Sequence, residues 1–138
     1  MWKLVILTSA LLASGWLGMM VSDRQIPLLV HSAKPDGPVK AGGFLRITYE
    51  VTRLRQCGVY TERFIYDSRE TRFVLSPSIF PLGSGLPGDA VFTSIIYVPS
   101  EAHSGPALYQ TISQYRCNLL NGFWPIVGNP REVHFDIE

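Results

Sequence analysis

The chain has 138 residues, a formal net charge of +1 and 46% hydrophobic residues. With 12 basic against 11 acidic residues it lacks the basic footprint of a nucleic-acid binder, so no nucleic-acid partner is expected. Valine, isoleucine, tyrosine and phenylalanine recur along the whole length, which argues against disorder.

The first element is an uncharged apolar run, Leu4 to Val21, between Lys3 and the pair Asp23, Arg24. At roughly 1.5 Å per residue it makes a helix of about 27 Å, close to the roughly 30 Å hydrocarbon core of a bilayer. Only Thr8, Ser9 and Ser14 are polar, so no wet face recurs as it would on a soluble helix. The run therefore predicts a membrane anchor. A cleaved signal peptide, with Ala13-Ser14-Gly15 as the small-residue cleavage site, is the competing reading. Lys3 and the terminal amine put the excess positive charge before the run, which predicts a cytoplasmic N-terminus and an exported remainder. Ala10, Ser14 and Gly18 recur every fourth residue, a small-residue stripe that would let two such helices pack as a homodimer. Residues 1–24 thus form the anchor or signal and its tether, and residues 25–138 one extracytoplasmic domain.

Within that domain, Ile26 to His31 is a short apolar piece whose Pro27 suits a sheet edge or strand start. Lys34 to Pro38 reads as a turn. Phe44 to Arg53 alternates strictly, with Leu45, Ile47, Tyr49 and Val51 on one parity, as a half-buried strand does. Continuing that parity turns Arg53 and Arg55 inward, which calls for either a bulge near Thr52 to Leu54 or a strand overhanging the core. Val59 to Asp67, Arg72 to Leu75, Ala90 to Val98, Ala107 to Cys117 and the alternating Val133, Phe135 and Ile137 read as further strands. Ser76 to Asp89 is expected to be an irregular loop, and Asn118 to Asn129 a second loop or a short turn of helix. About seven strands in a chain of this size predict an all-β antiparallel sandwich.

The two cysteines, Cys57 and Cys117, both fall in the exported part, where an isolated pair is expected to form a disulfide. Closing that loop would stabilise the fold by roughly 4 kcal/mol in the chain-entropy account. Tyr115, two residues before Cys117, matches the tyrosine-corner spacing, and here the domain resembles an immunoglobulin-like sandwich. It departs in lacking a tryptophan after Cys57 at the usual spacing, since Trp124 lies beyond Cys117. The bridge could therefore span the sheets or sit at one end of the sandwich. The Lys40-Ala41-Gly42-Gly43 entry, Thr48 to Arg53, Tyr115 to Asn118 and the closing strand also resemble small exported β-domain proteins encoded by phages.

No catalytic, cofactor or metal site is expected. The three histidines are far apart in sequence, no G-x-S-x-G elbow occurs, and Gly83-Ser84-Gly85 lacks the lysine of a phosphate loop. Asp67 and Glu70 are expected to be solvated. Arg46, Arg53, Arg55, Arg63, Arg69 and Arg72 cluster with acidic neighbours; cross-strand ion pairs are the expected explanation, with an anion- or headgroup-facing patch as the alternative. Phe123 and Trp124 lie in a loop where no strand pattern demands them and are the candidate protein-contact residues. The function expected is a tethered, non-catalytic binding or structural module of an envelope or phage-related assembly. A sandwich released by signal cleavage and an envelope hydrolase are the alternatives.

Overall fold

The computed structural model describes residues 1–138. An α-helix, α1 (Trp2–Ser22), comes first, and every residue from Trp2 to Met19 is exposed. Its hydroxyls return to the helix backbone, as where Ser14 donates to the Ala10 carbonyl at 2.6 Å. With a mean hydropathy of 2.0, the helix is long and apolar enough to cross a membrane, a property that signal sequences share.

Eight strands follow: β1 (Leu28–Pro35), β2 (Phe44–Arg53), β3 (Gly58–Tyr66), β4 (Arg72–Phe80), β5 (Gly88–Tyr97), β6 (Gly105–Arg116), β7 (Ile126–Val127) and β8 (Arg131–Ile137). They form two antiparallel sheets, one ordered β1-β2-β5 and the other β4-β3-β6, with both β7 and β8 pairing β6. The chain is thus an apolar N-terminal helix followed by a β-sandwich. A single parallel bridge, Val39 to Ile137, joins the sheets at the end far from α1. The core lies in that half, where Leu45, Ile47, Ile65, Ile96, Tyr109, Val133 and Phe135 pack together.

Two expectations about strands are corrected, and one left open is settled. Residues 76–80 continue β4 instead of opening a loop, with Pro77 accommodated because β4 is an edge strand. Ser76 and Pro77 stand opposite the single residue Glu62, a bulge that absorbs the missing donor. Second, Gly88 and Asp89 already belong to β5, so the irregular stretch shrinks to residues 81–87. Of the two arrangements open for β2, the structure takes the overhanging strand: no bulge interrupts it near Thr52, and its register with β5 is unbroken from Phe44 to Arg53. The bulge falls on β1 at His31 instead.

Cys57 and Cys117 are bonded, with Cα atoms 4.5 Å apart. They directly precede and follow the Gly58–Arg116 pair, so the bridge extends the β3–β6 ladder within one sheet. It closes one end of the sandwich and does not cross between the sheets. Tyr115 lies near that same end, remote from the β5–β6 connection, and does not form a corner tyrosine.

Candidate functional site

Strand parity explains why only half of the interior is packed. On β2 the inward series Leu45, Ile47, Tyr49 and Val51 is continued by Arg53. On β3 it runs from buried Ile65 to Arg63 and Thr61, on β6 from Tyr109 to Thr111 and Ser113, and on β8 from Val133 to Arg131. All four strands keep their alternation but exchange aliphatic for polar side chains at the same level. Past that level the sheets enclose a cleft of about 410 Å³.

Four arginines line this cleft, Arg53, Arg55, Arg63 and Arg131, and no aspartate, glutamate or histidine does. Only Arg55 has a carboxylate partner: its Nη1 donates to the Asp23 oxygens at 2.6 and 2.8 Å. The other three meet backbone carbonyls. Arg63 donates from Nε and Nη2 to the Ser76 carbonyl at 2.8 and 2.5 Å, while Arg131 and Arg53 reach those of Val30 and Leu86 at 3.4 Å each. The expected cross-strand ion pairs are absent, for Arg53 and Arg63 because they face a wall without acids.

Tyr49 and Tyr109 line the cleft at its core side and Tyr115 at its disulfide end. Burial pushes all three phenols up, against the opposing pull of Arg131 and Arg63 on Tyr49, of Arg63 on Tyr109, and of Ser113 and Arg131 on Tyr115. They are neutral O–H donors at physiological pH. Apolar residues line both sides of the cleft, Leu28 and Val30 on β1 and Phe80 and Phe92 on β4 and β5, and Tyr49 stacks on Phe92 at 5.2 Å between ring centroids. The cleft opens between β4 and β5, which are edge strands of different sheets and do not pair with each other. Phe80 and Phe92 are 50% and 44% exposed at this mouth.

The loop over residues 81–87 is pinned to the cleft by Arg53 and by a hydrogen bond from Gln56 Nε2 to the Gly85 carbonyl at 3.0 Å. A side chain at Gly85 would collide with the Arg53 guanidinium, and its φ of 73° also favours glycine. Across the disulfide end, Asn118 donates to the Met20 carbonyl at 3.2 Å. Arg24 donates to the carbonyls of Trp124 and Pro125, each at 2.9 Å, and stacks 4.1 Å from the Trp124 ring centroid. The cleft thus occupies the helix-proximal half of the sandwich.

Phe123 and Trp124 follow a short 3-10 helix, Leu119–Gly122, and are 94% and 57% exposed. Neither lines the cleft. Ala10, Ser14 and Gly18 lie on the exposed length of α1, which meets the domain only at its C-terminal end near Met20. Asp67, expected to be solvated, is buried: it accepts from the backbone N–H groups of Arg69, Thr71 and His103, and from the His103 ring at 2.8 Å. His31 Nε2 lies 2.7 Å from Thr52 Oγ1, which donates to Asp89 at 2.5 Å, so that exposed hydroxyl is committed to a carboxylate and is not poised as a nucleophile. The cleft is what the local reading missed. The parity of Arg53 and Arg55 was a signal for it, but Arg131 lies 68 positions beyond Arg63 and joins only through β-pairing.

No family model and no curated protein matches the chain. Among solved structures it is similar to an alkylpurine DNA glycosylase from Pseudomonas fluorescens bound to DNA containing an abasic site analogue, at 10% identity and a TM-score of 0.47. That match covers 88% of this chain and 33% of the glycosylase. A β-glucosidase from Listeria innocua is similar at 8% identity and a TM-score of 0.41, over 80% of this chain and 15% of the enzyme. The chain therefore spans a third or less of the proteins it resembles, and these likenesses carry no functional argument.

Proposed function

We propose that the protein is a membrane-tethered, extracytoplasmic β-sandwich that works by binding, with its ligand site in the cleft between the two sheets. The observation that supports this most directly is the cleft itself. A sandwich of this size gains stability by packing its interior, yet half of this interior is lined by arginines, phenols and hydroxyls around about 410 Å³ of open volume. Charged groups facing inward without counter-ions lower stability, and such features are retained where function requires them. We read the strand order as immunoglobulin-like: the first, second and fifth strands share one sheet, and the third, sixth and last share the other. The same-sheet disulfide is a departure from that family.

Filling the cleft tests the reading. Ser94→Leu and Thr111→Leu together add apolar volume from both walls and leave all four arginines in place. Native mass spectrometry of the full chain extracted in an uncharged detergent should show a small-molecule adduct on the wild type and none on the double variant. The variant's melting temperature should equal or exceed that of the wild type. An adduct that persists after filling would place the ligand elsewhere and end this proposal.

A second reading, in which Phe123 and Trp124 contact a protein in an envelope or phage-related assembly, is supported by their exposure. Their position beside the end of α1 makes the bilayer interface the competing occupant.

A further inference from the structure

The β-pairing assembles a row that the sequence disperses. Arg63 on β3 stands opposite Thr111 on β6, and Thr111 stands opposite Arg131 on β8. The two arginines therefore flank one threonine from the strands on either side, with Cα atoms about 10 Å apart at the usual inter-strand spacing. Arg53 enters the same cleft from the facing sheet. Arg53, Arg63 and Arg131 thus line one cleft with no carboxylate within ion-pair distance, their guanidinium groups resting on the Leu86, Ser76 and Val30 carbonyls, and Arg55, the fourth, is held by Asp23.

Like charges in a partly desolvated cleft repel one another, and a bound anion converts that repulsion into attraction. The neighbouring groups narrow the choice of anion. Thr111 and the phenols of Tyr49 and Tyr109 carry O–H donors, Thr61 and Ser113 share one hydrogen bond at 2.9 Å and keep one proton between them, and acidic acceptors are missing from the walls. A ligand suited to this lining carries several acceptor oxygens and more than one negative charge. Planar guanidinium forks bind such an oxyanion bidentately. At the mouth, Phe80 and Phe92 would lie against a hydrocarbon portion of the same ligand.

We propose that the Arg63–Thr111–Arg131 row, with Arg53 opposite, binds the phosphate group of a phosphate ester. This rests on the cleft being the ligand site and names the ligand's chemistry. A lipid headgroup and a soluble ester present the same phosphate, so the test has one arm for each.

Thermal unfolding of the full chain in an uncharged maltoside detergent is followed with inorganic phosphate against chloride at matched ionic strength. The second arm dopes the micelles with phosphatidic acid against diacylglycerol, which differ by the phosphate alone. A ligand that binds the folded state raises the midpoint in proportion to its occupancy. The wild type should respond in at least one arm. Loss of charge-assisted hydrogen bonds in Arg63→Gln or Arg131→Gln should weaken the apparent affinity about 10- to 100-fold. Arg116→Gln, at an exposed position outside the cleft, should respond as the wild type does. Each shift is measured from that variant's own ligand-free midpoint, so a change in intrinsic stability cancels. Thr111→Val, which keeps the shape and removes one donor, supplies a reduced response should an arginine variant fail to fold.

A response to phosphatidic acid alone identifies a lipid source, to inorganic phosphate alone a soluble one, and to both the shared group. No response in either arm, or an undiminished response in Arg63→Gln and Arg131→Gln, overturns the assignment. If the native adduct is still displaced by Ser94→Leu with Thr111→Leu while both phosphate arms are silent, the cleft remains a binding site and the phosphate class is wrong.

Discussion

Asp23, the first residue after the helix, is held by Arg55, which donates to both of its carboxylate oxygens and also reaches the Gln25 carbonyl. The pair ties the end of α1 to the connection between β2 and β3, beside the disulfide. Both side chains remain about a third exposed, at 31% and 36%, so screening keeps the contribution to global stability to about 1 kcal/mol or less. Arg55→Gln should therefore leave the melting temperature nearly unchanged while loosening the junction. Limited proteolysis within residues 23–26 should be faster in the variant, and an unchanged rate would show that the pair does not restrain the tether.

The Cys57–Cys117 bridge closes a loop with a sequence separation of 60. Its removal should cost about 2–5 kcal/mol. Cys57→Ser with Cys117→Ser should melt well below the oxidised wild type, and reduction of the wild type should reproduce the loss. Non-reducing peptide mapping that recovered both thiols free after export would contradict the disulfide.

Asp67 sets an acid limit on stability. Burial by itself would raise its carboxyl pKa, but the hydrogen bonds from His103, Thr71 and Arg69 outweigh burial and hold it well below the ordinary carboxylate value. The folded-state pKa is thus lower than the unfolded one, so in acid the unfolded chain binds the extra proton. The contribution is fully present above the unfolded value of about 3.9 and is lost as the pH falls from there toward the folded value. Asp67→Asn should be less stable at neutral pH by about 2 kcal/mol, and its urea midpoint should fall less than the wild type's below about pH 4. Parallel acid profiles would exclude Asp67 as the controlling group.

Phe123 and Trp124 are exposed enough that the fold does not depend on them. Replacing both with serine should shift the melting temperature by only a few degrees, with about 0.5–1 kcal/mol lost from the Arg24–Trp124 stacking. Unfolding of the double variant would reassign the pair to the core. In bilayers, quenching of Trp124 fluorescence by brominated lipid in a Trp2→Phe, Trp16→Phe background would identify the membrane as the partner of this loop. Absence of quenching would favour a protein contact.

Orientation is testable independently. A reporter fused after Glu138 should be active outside the cytoplasm, because Lys3 and the terminal amine place the positive flank inside. Activity in the cytoplasm would overturn the exported compartment.

The apolar helix, the all-β class, the β2 alternation and the disulfide partnership were legible from the amino-acid sequence alone. Each is a local pattern or, for the cysteines, a pair with no competitor. The fate of Arg53 was legible only as a conflict, because parity turned it inward without saying what it would meet. Tertiary structure resolved that conflict by aligning the polar ends of β2, β3, β6 and β8 at one level, so that Arg53, Arg63 and Arg131 share a cleft. Pro77 misled the reading of β4 because proline excludes a central strand but not a bulged edge strand, and edges exist only once sheets are assembled. Asp67 likewise looked solvated beside a turn, and it is buried because His103, 36 positions away, folds over it. Side-chain period and propensity act over a few residues, whereas a cleft or a buried carboxylate depends on which distant strands hydrogen-bond and in what register.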